Sequence, residues 1–238
     1  VSFGHGENPN FTFITVLRSM AAKIDILYED NHLLIINKPA GLPSQGDKTE
    51  DPSAIDLAAE YIKQEYNKPG NVYVGLAHRI DRPTSGALIL CKTSKSLSRM
   101  GELFKKREIQ KCYLALVQGH TTEQYFHLQD YLYKDKQKNI SRVVTSKHKD
   151  SKLAELDGEA LSYINGRTLL KIYPHTGRSH QIRVQLSNFG LPIVGDVKYG
   201  GPRHNDSRAI SLHSHSLSFL HPVTKKPLVV ESWPIWGV

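Results

Sequence analysis

The sequence predicts a fold that combines β-strands with helices. Three observations carry that reading. Short apolar runs, several with two-residue alternation, recur between residues 24 and 219. Two segments of helical periodicity with capping residues, 53–66 and 93–106, sit among them. Turn residues such as Asn165-Gly166 mark direct strand-to-strand returns. At 238 residues the chain has ample length for a sizeable core.

The elements follow in order. Residues 1–22 carry no periodic pattern and read as an N-terminal extension or disordered arm, with Met20 as a candidate start. Two apolar runs, Ile24–Asp30 and Leu33–Pro39, read as a hairpin around Asn31-His32. Lys38-Pro39-Ala40-Gly41-Leu42-Pro43 is a loop by its proline and glycine content. Ser53–Tyr66 is a helix: Asp51-Pro52-Ser53 supplies cap chemistry, and Ile55, Leu57, Tyr61 and Ile62 its apolar face. Ala87–Leu90 is a buried strand. Thr93–Lys106 is a second helix with Leu97, Met100, Leu103 and Phe104 on one face. Ile109–Gly119 is a strand that places Lys111, Tyr113, Ala115 and Val117 on one side. Residues 120–152 are polar, with strand fragments at Leu128, Tyr131–Tyr133 and Val143-Val144, and the 134–138 run reads as an exposed turn or loop. Ala154–Tyr163 and Arg167–Tyr173 form a second hairpin. A glycine turn at Gly177 opens onto a helix-like segment with Ile182, Val184 and Leu186, and Leu212–Phe219 alternates as a strand.

Composition narrows the function. Lys plus Arg number 31 and Asp plus Glu 23, a formal charge of +8 that suits a polyanionic partner. No run of 18 apolar residues is present, so no membrane span is expected. No apolar signal-peptide core is evident near the N-terminus, and Cys91 and Cys112 read as reduced core thiols, which together suit the cytoplasm. The tail histidines His204, His213, His215 and His221 fit no closed zinc spacing, and no metal site is expected.

The chemistry concentrates in residues 76–90. Asp81 lies between Arg79 and Arg82, ahead of a Pro83-Thr84-Ser85-Gly86 turn. Neighbouring cations favour the ionised carboxylate, which can serve as nucleophile or general base. An isolated Arg-x-Asp-Arg is also consistent with a structural surface ion pair.

The stretch His78-Arg79-Ile80-Asp81 with Thr84-Ser85-Gly86 resembles the signature of the RluA-like pseudouridine synthases. Other blocks resemble the same family in the expected order. These are Asn37-Lys38-Pro39-x-Gly41, the Lys111-x-Tyr113-x-Ala115-x-Val117 strand, Thr176-Gly177-Arg178-x-His180-Gln181-Ile182-Arg183, and the Gly195-Asp196-x-x-Tyr199-Gly200 loop. Gln185 stands where histidine is the commoner family residue. The resemblance spans about residues 24–234 and assigns 23–238 to one catalytic domain. It implies an α+β fold: a central mixed, mostly antiparallel sheet in two halves, flanking helices and a catalytic cleft. It also implies isomerisation of specific uridines to pseudouridine in ribosomal or transfer RNA, without cofactor or metal. Asp81 is then the catalytic carboxylate, by attack on the sugar or by proton abstraction from it. Arg183 holds it ionised, and Tyr113 stacks on a flipped base and assists proton transfer. Arg79 helps displace the base and fills the gap. The remaining substrate contacts fall to Lys38, near phosphate, and to His78, Arg82, Thr84, Arg178 and His180. No segment reads as an S4 domain, so RNA contact is expected from the domain's own basic surface or from a partner, and a monomer is expected.

Two other classes stay in view. A silent RNA-binding protein on this fold would not need Asp81, Tyr113 and Arg183 together. A glycoside or nucleoside hydrolase would need a second carboxylate beside Asp81. A serine hydrolase built on Ser85 lacks the Gly-x-Ser-x-Gly elbow.

Overall fold

A computed structural model describes residues 24–47, 49, 51–203, 206 and 208–236. The extension read over residues 1–22, and His204, lie outside these residues. The elements run β1 (Ile26–Glu29), β2 (Leu33–Lys38), α1 (Ala54–Glu65), β3 (Gly75–Leu76), β4 (Ser85–Cys91), α2 (Ser94–Lys105), β5 (Gln110–Gln118), β6 (Tyr125–Asp135), β7 (Ile140–Val144), β8 (Lys152–Ile164), β9 (Arg167–Pro174), α3 (Gln181–Asn188), β10 (Leu212–Leu220) and β11 (Pro227–Glu231). They form an α+β fold on one sheet of order β1-β2-β4-β10-β5-β9-β8-β6-β7, with β3 on β4 and β11 on β10. Every pairing is antiparallel except β4 with β10. The mixed, mostly antiparallel sheet is as expected.

Local chemistry explains the elements. Ser53 caps α1 in a capping box: its hydroxyl accepts from Asp56 N, and the Asp56 carboxylate accepts from Ser53 N at 2.9 Å. Thr93 caps α2 by accepting from Ser96 N at 3.1 Å. Asn165 and Gly166 adopt φ of +53° and +76° between the paired residues Ile164 and Arg167, the positive-φ pair a two-residue hairpin requires. Strands β2 and β4 are buried on both faces, which is why their sequences are continuously apolar. Leu34, Ile36, Leu88 and Leu90 join a cluster with Ala58 and Ile62 of α1. Leu33, Ile35, Ala87 and Ile89 join one on the other face with Met100 of α2.

The two halves of the sheet meet where β4 touches β10 by only two residue pairs, Ser85↔His213 and Gly86↔Ser214. Gly86 has φ +108°, and a Cβ there would lie 2.3 Å from Ser214 O, so the glycine permits the approach. Ser85 Oγ lies 2.8 Å from His213 Nδ1, and His213 Nε2 lies 3.1 Å from Ser232 Oγ. This buried clasp ties β4, β10 and the end of β11 together. Its third member is a serine and not an acid, so it is no hydrolase triad.

Two stretches depart from expectation. Residues 125–135 form one long strand and not fragments, with Lys134 and Asp135 inside it. Asp130 interrupts the apolar alternation of its inner face, and Gln185 Nε2 donates to that carboxylate at 2.9 Å. Strand β11 was not anticipated, since its Pro227 start and short apolar core give a weak signal. Among the described tail histidines, His213 belongs to the clasp, His215 Nδ1 meets Ser232 O at 2.7 Å, and His221 accepts from Val223 N and Thr224 N while facing Asp30 at 2.9 Å.

Candidate active site

A cleft of about 1690 Å³ runs across the sheet junction and is lined by Asp81, Tyr113 and Arg183 together with Arg79, His78, Thr84, Arg178 and His180. Asp81 leads the turn into β4, where Thr84 N donates to Asp81 O at 3.0 Å. The backbone on either side of it is gripped by the 38–44 loop. Ser44 Oγ donates to Ile80 O at 2.7 Å, and Gly41 N donates to Arg82 O at 2.8 Å. The carboxylate is therefore presented from a fixed backbone, with its side chain 30% exposed.

Arg183 of α3 donates from Nη1 to Asp81 at 2.9 Å. Its Nε and Nη2 donate to the two oxygens of Asp196 at 2.6 and 2.8 Å, a bidentate fork with side-chain exposures of 6% and 1%. The guanidinium also sits over the Tyr199 ring, 5.1 Å from its centroid. Burial opposes its charge, but the bonds to Asp196 and Asp81 outweigh that and raise its pKa further. The 195–200 loop thus has a physical role: Asp196 fixes the charge and direction of Arg183, and Arg183 spends its remaining amine on Asp81.

Helix α3 is aimed by the turn before it. Gln181 Oε1 accepts from Thr176 Oγ1 at 2.7 Å and from Arg178 N at 2.9 Å, while its Nε2 donates to Glu155 O at 3.0 Å. Arg178 donates from Nε to Leu153 O at 2.8 Å. His180 sits at φ +54°, a left-handed conformation that turns its ring to Tyr199 Oη, 2.7 Å from Nδ1, with Lys134 Nζ 3.4 Å from Nε2. Tyr113 on β5 is buried, and burial, aided by the Asp81 charge, pushes its phenol up to about 12. Arg79 is exposed on the cleft rim and makes no hydrogen bond or ion pair with any described residue.

Three sequence readings change. Lys38 is fully buried and donates to Pro39 O, Leu42 O and Arg82 O at 2.9, 2.7 and 3.2 Å, so its ammonium holds the loop and does not reach phosphate. Arg82 turns away from Asp81: it donates to Gly41 O and pairs with Asp47 and Asp51, so it pins the same loop. The His78 ring takes over from the short strand β3, accepting from Ile89 N at 3.1 Å and packing on Phe104. Thr84 lines the cleft, but its buried hydroxyl finds no partner among the described residues. Asp196 was quoted in a motif without a role, and Lys134 was read as loop. Partnering of Arg183 is a contact between distant elements that no local pattern encodes.

Three imidazoles here and at the clasp resist protonation. Burial lowers His78 to about 3, and His180 and His213 to about 4. Unfolded histidine takes its proton near pH 6.5, so between about pH 6.5 and 4 the unfolded chain binds more protons. These groups leave stability unchanged above that window and reduce it as pH falls through it. The melting temperature is expected to drop between about pH 7.5 and 5 at constant ionic strength. A flat profile would show that the rings take up protons in the folded chain as readily as in the unfolded one.

Known proteins resemble this chain in sequence and in fold. The sequence pattern described as RNA pseudouridylate synthase matches residues 32–188. A ribosomal large subunit pseudouridine synthase C from Buchnera aphidicola (Acyrthosiphon pisum) is 35% identical over 229 residues, 93% of this chain and 70% of that protein. A second Buchnera protein of that name, from Schizaphis graminum, is 36% identical and is spanned over 65% of its length. A tRNA pseudouridine synthase C from Haemophilus influenzae is 32% identical over 225 residues, 87% of this chain and 91% of that protein. The structure of human RNA pseudouridylate synthase domain containing 4 superposes with a TM-score of 0.73 at 23% identity, covering 94% of this chain and 93% of that one, which shows the shared fold. The chain belongs to the RNA pseudouridylate synthase family.

Proposed function

We propose that this chain isomerises uridine to pseudouridine in ribosomal or transfer RNA, with Asp81 as the catalytic carboxylate. The observation that carries the reading is the Asp81–Arg183–Asp196 chain. It places a cleft-facing carboxylate against a cation whose own charge is already matched by a buried acid. In the reaction the N1–C1′ bond of uridine breaks, the uracil turns, and C5 bonds to C1′. C5 loses one proton and N1 gains one. The change is redox-neutral and takes no group from outside, so the chemistry calls for neither cofactor nor metal. Asp81 is the group that engages the ribose. Arg183 holds it ionised and directed. Tyr113, protonated at neutral pH, offers a ring for stacking and a hydroxyl that assists proton transfer.

Arg79, unpaired on the rim, is the side chain available to enter the gap left by a flipped base, a step costing a few kcal/mol. Arg178, Lys134 and Lys198 line the cleft with Lys105, Arg107 and Lys111, so phosphate meets positive charge there. The catalytic domain is proposed as residues 23–238, acting as a monomer. An RNA substrate and two free, buried thiols support a cytoplasmic setting. Among the described residues no helix is long and apolar enough to cross a membrane.

The test is incubation with unmodified ribosomal and transfer RNA transcripts, followed by carbodiimide labelling and primer extension. A new, enzyme-dependent stop on either transcript is expected. Salt-sensitive binding without any stop would turn the reading to a silent RNA-binding protein.

A further inference from the structure

Away from Asp81, the half-sheet β6–β8–β9 turns one face to solvent at the outer part of the cleft. His127 of β6 stands opposite Asp157 of β8 in register, and Asp157 stands opposite Tyr173 of β9. His175 follows Tyr173 by two residues and returns to the same face. His127 Nδ1 lies 2.7 Å from Asp157 Oδ1, and His175 Nε2 lies 2.7 Å from Oδ2. One donor atom from each residue falls within 4.8 Å of the others. The mechanism uses none of the three.

We propose that His127, Asp157 and His175 bind one divalent transition-metal ion of zinc's class. Two imidazoles and a carboxylate are a nitrogen and oxygen set that such ions favour over magnesium. Tetrahedral bonds of about 2.0–2.2 Å place donor atoms about 3.3 Å apart. The two hydrogen-bonded separations, 2.7 Å each, are shorter than that value and all the donor atoms lie within 4.8 Å of one another, so side-chain rotation closes the site while the paired strands stay fixed. The ion takes the place of the protons that His127 Nδ1 and His175 Nε2 now give to the carboxylate. Those protons move to the outer ring nitrogens or to solvent. Glu155 and Glu159 flank Asp157 two residues away on the same face and add negative charge that a cation offsets. Both histidines line the cleft, so the open coordination position faces water there.

Titration of the metal-free chain with Co²⁺, read by visible d–d absorption, and with Zn²⁺, read by calorimetry, tests the site. One equivalent is expected to bind saturably, with the cobalt bands of a four- or five-coordinate ion. The His127→Ala/His175→Ala double variant and Asp157→Asn are each expected to bind at least ten-fold more weakly. Their melting in EDTA should match wild type, because the three side chains are largely exposed. Absence of saturable binding overturns the proposal. So does unchanged affinity in the double variant, which would move the metal to other histidines, or displacement by millimolar Mg²⁺, which would make the site a plain carboxylate one.

Discussion

Asp81→Asn is expected to abolish pseudouridine formation while leaving the fold and RNA affinity near wild type. The substitution keeps the shape of the side chain and removes its ability to attack carbon or take a proton. Loss of such a group costs about 10³-fold in rate or more. The surroundings do not depend on it. Arg183 keeps both bonds to Asp196, and the Asp81 backbone stays gripped through Ser44, Gly41 and Thr84. Asp81 is partly exposed, so losing its ion pair changes stability by about 1 kcal/mol or less. Single-turnover assays on an unmodified transcript, filter binding and urea unfolding check the three parts separately. An active Asn variant would remove Asp81 from the chemistry. An inactive variant that also fails to bind RNA would make it a binding residue.

The contrast between Asp81 and its sequence neighbours shows how far the sequence could be read. Arg82 is adjacent to Asp81 in the chain, and with Arg79 it is one of the two cations whose proximity along the sequence favours an ionised carboxylate. Adjacent side chains diverge at a turn, and Arg82 leaves toward Asp47 and Asp51. The actual partner, Arg183, is 102 positions away. Only resemblance to a family pointed there, because the contact depends on how β4, β10 and β5 bring the halves together. Lys38 misled for a related reason. A lysine beside proline and glycine usually marks a solvated loop, and its burial follows from the loop folding back over three carbonyls. Elements with clean signals, such as the capped helix α1 and the Asn165-Gly166 hairpin, were legible because their causes are local. Strand β6 was not, since Asp130 breaks its alternation and the compensating Gln185 comes from another element. Lys134 and His127 ride on that strand, so their place in the cleft was hidden with it.

The same dependence between distant elements makes Asp196→Ala a severe change. Arg183 would keep its charge and stay buried, with its Nε and Nη2 donors losing both acceptors at once. Removing one partner of a buried pair costs about 3–5 kcal/mol, and chemical denaturation should show a loss in that range. Activity should fall as well, because the guanidinium that aims Asp81 is no longer held from behind. These two effects separate in the double replacement Arg183→Met with Asp196→Leu. Apolar side chains of similar size remove the need to bury charge and often recover the stability of such a pair. The double variant is therefore expected to unfold nearer to wild type than Asp196→Ala does, yet to form no product, since nothing then directs Asp81. Recovery of both stability and turnover would show that the Asp196–Arg183 fork serves packing alone. Failure to recover either would show that the fork organises the 195–200 loop and α3 beyond the charge it satisfies.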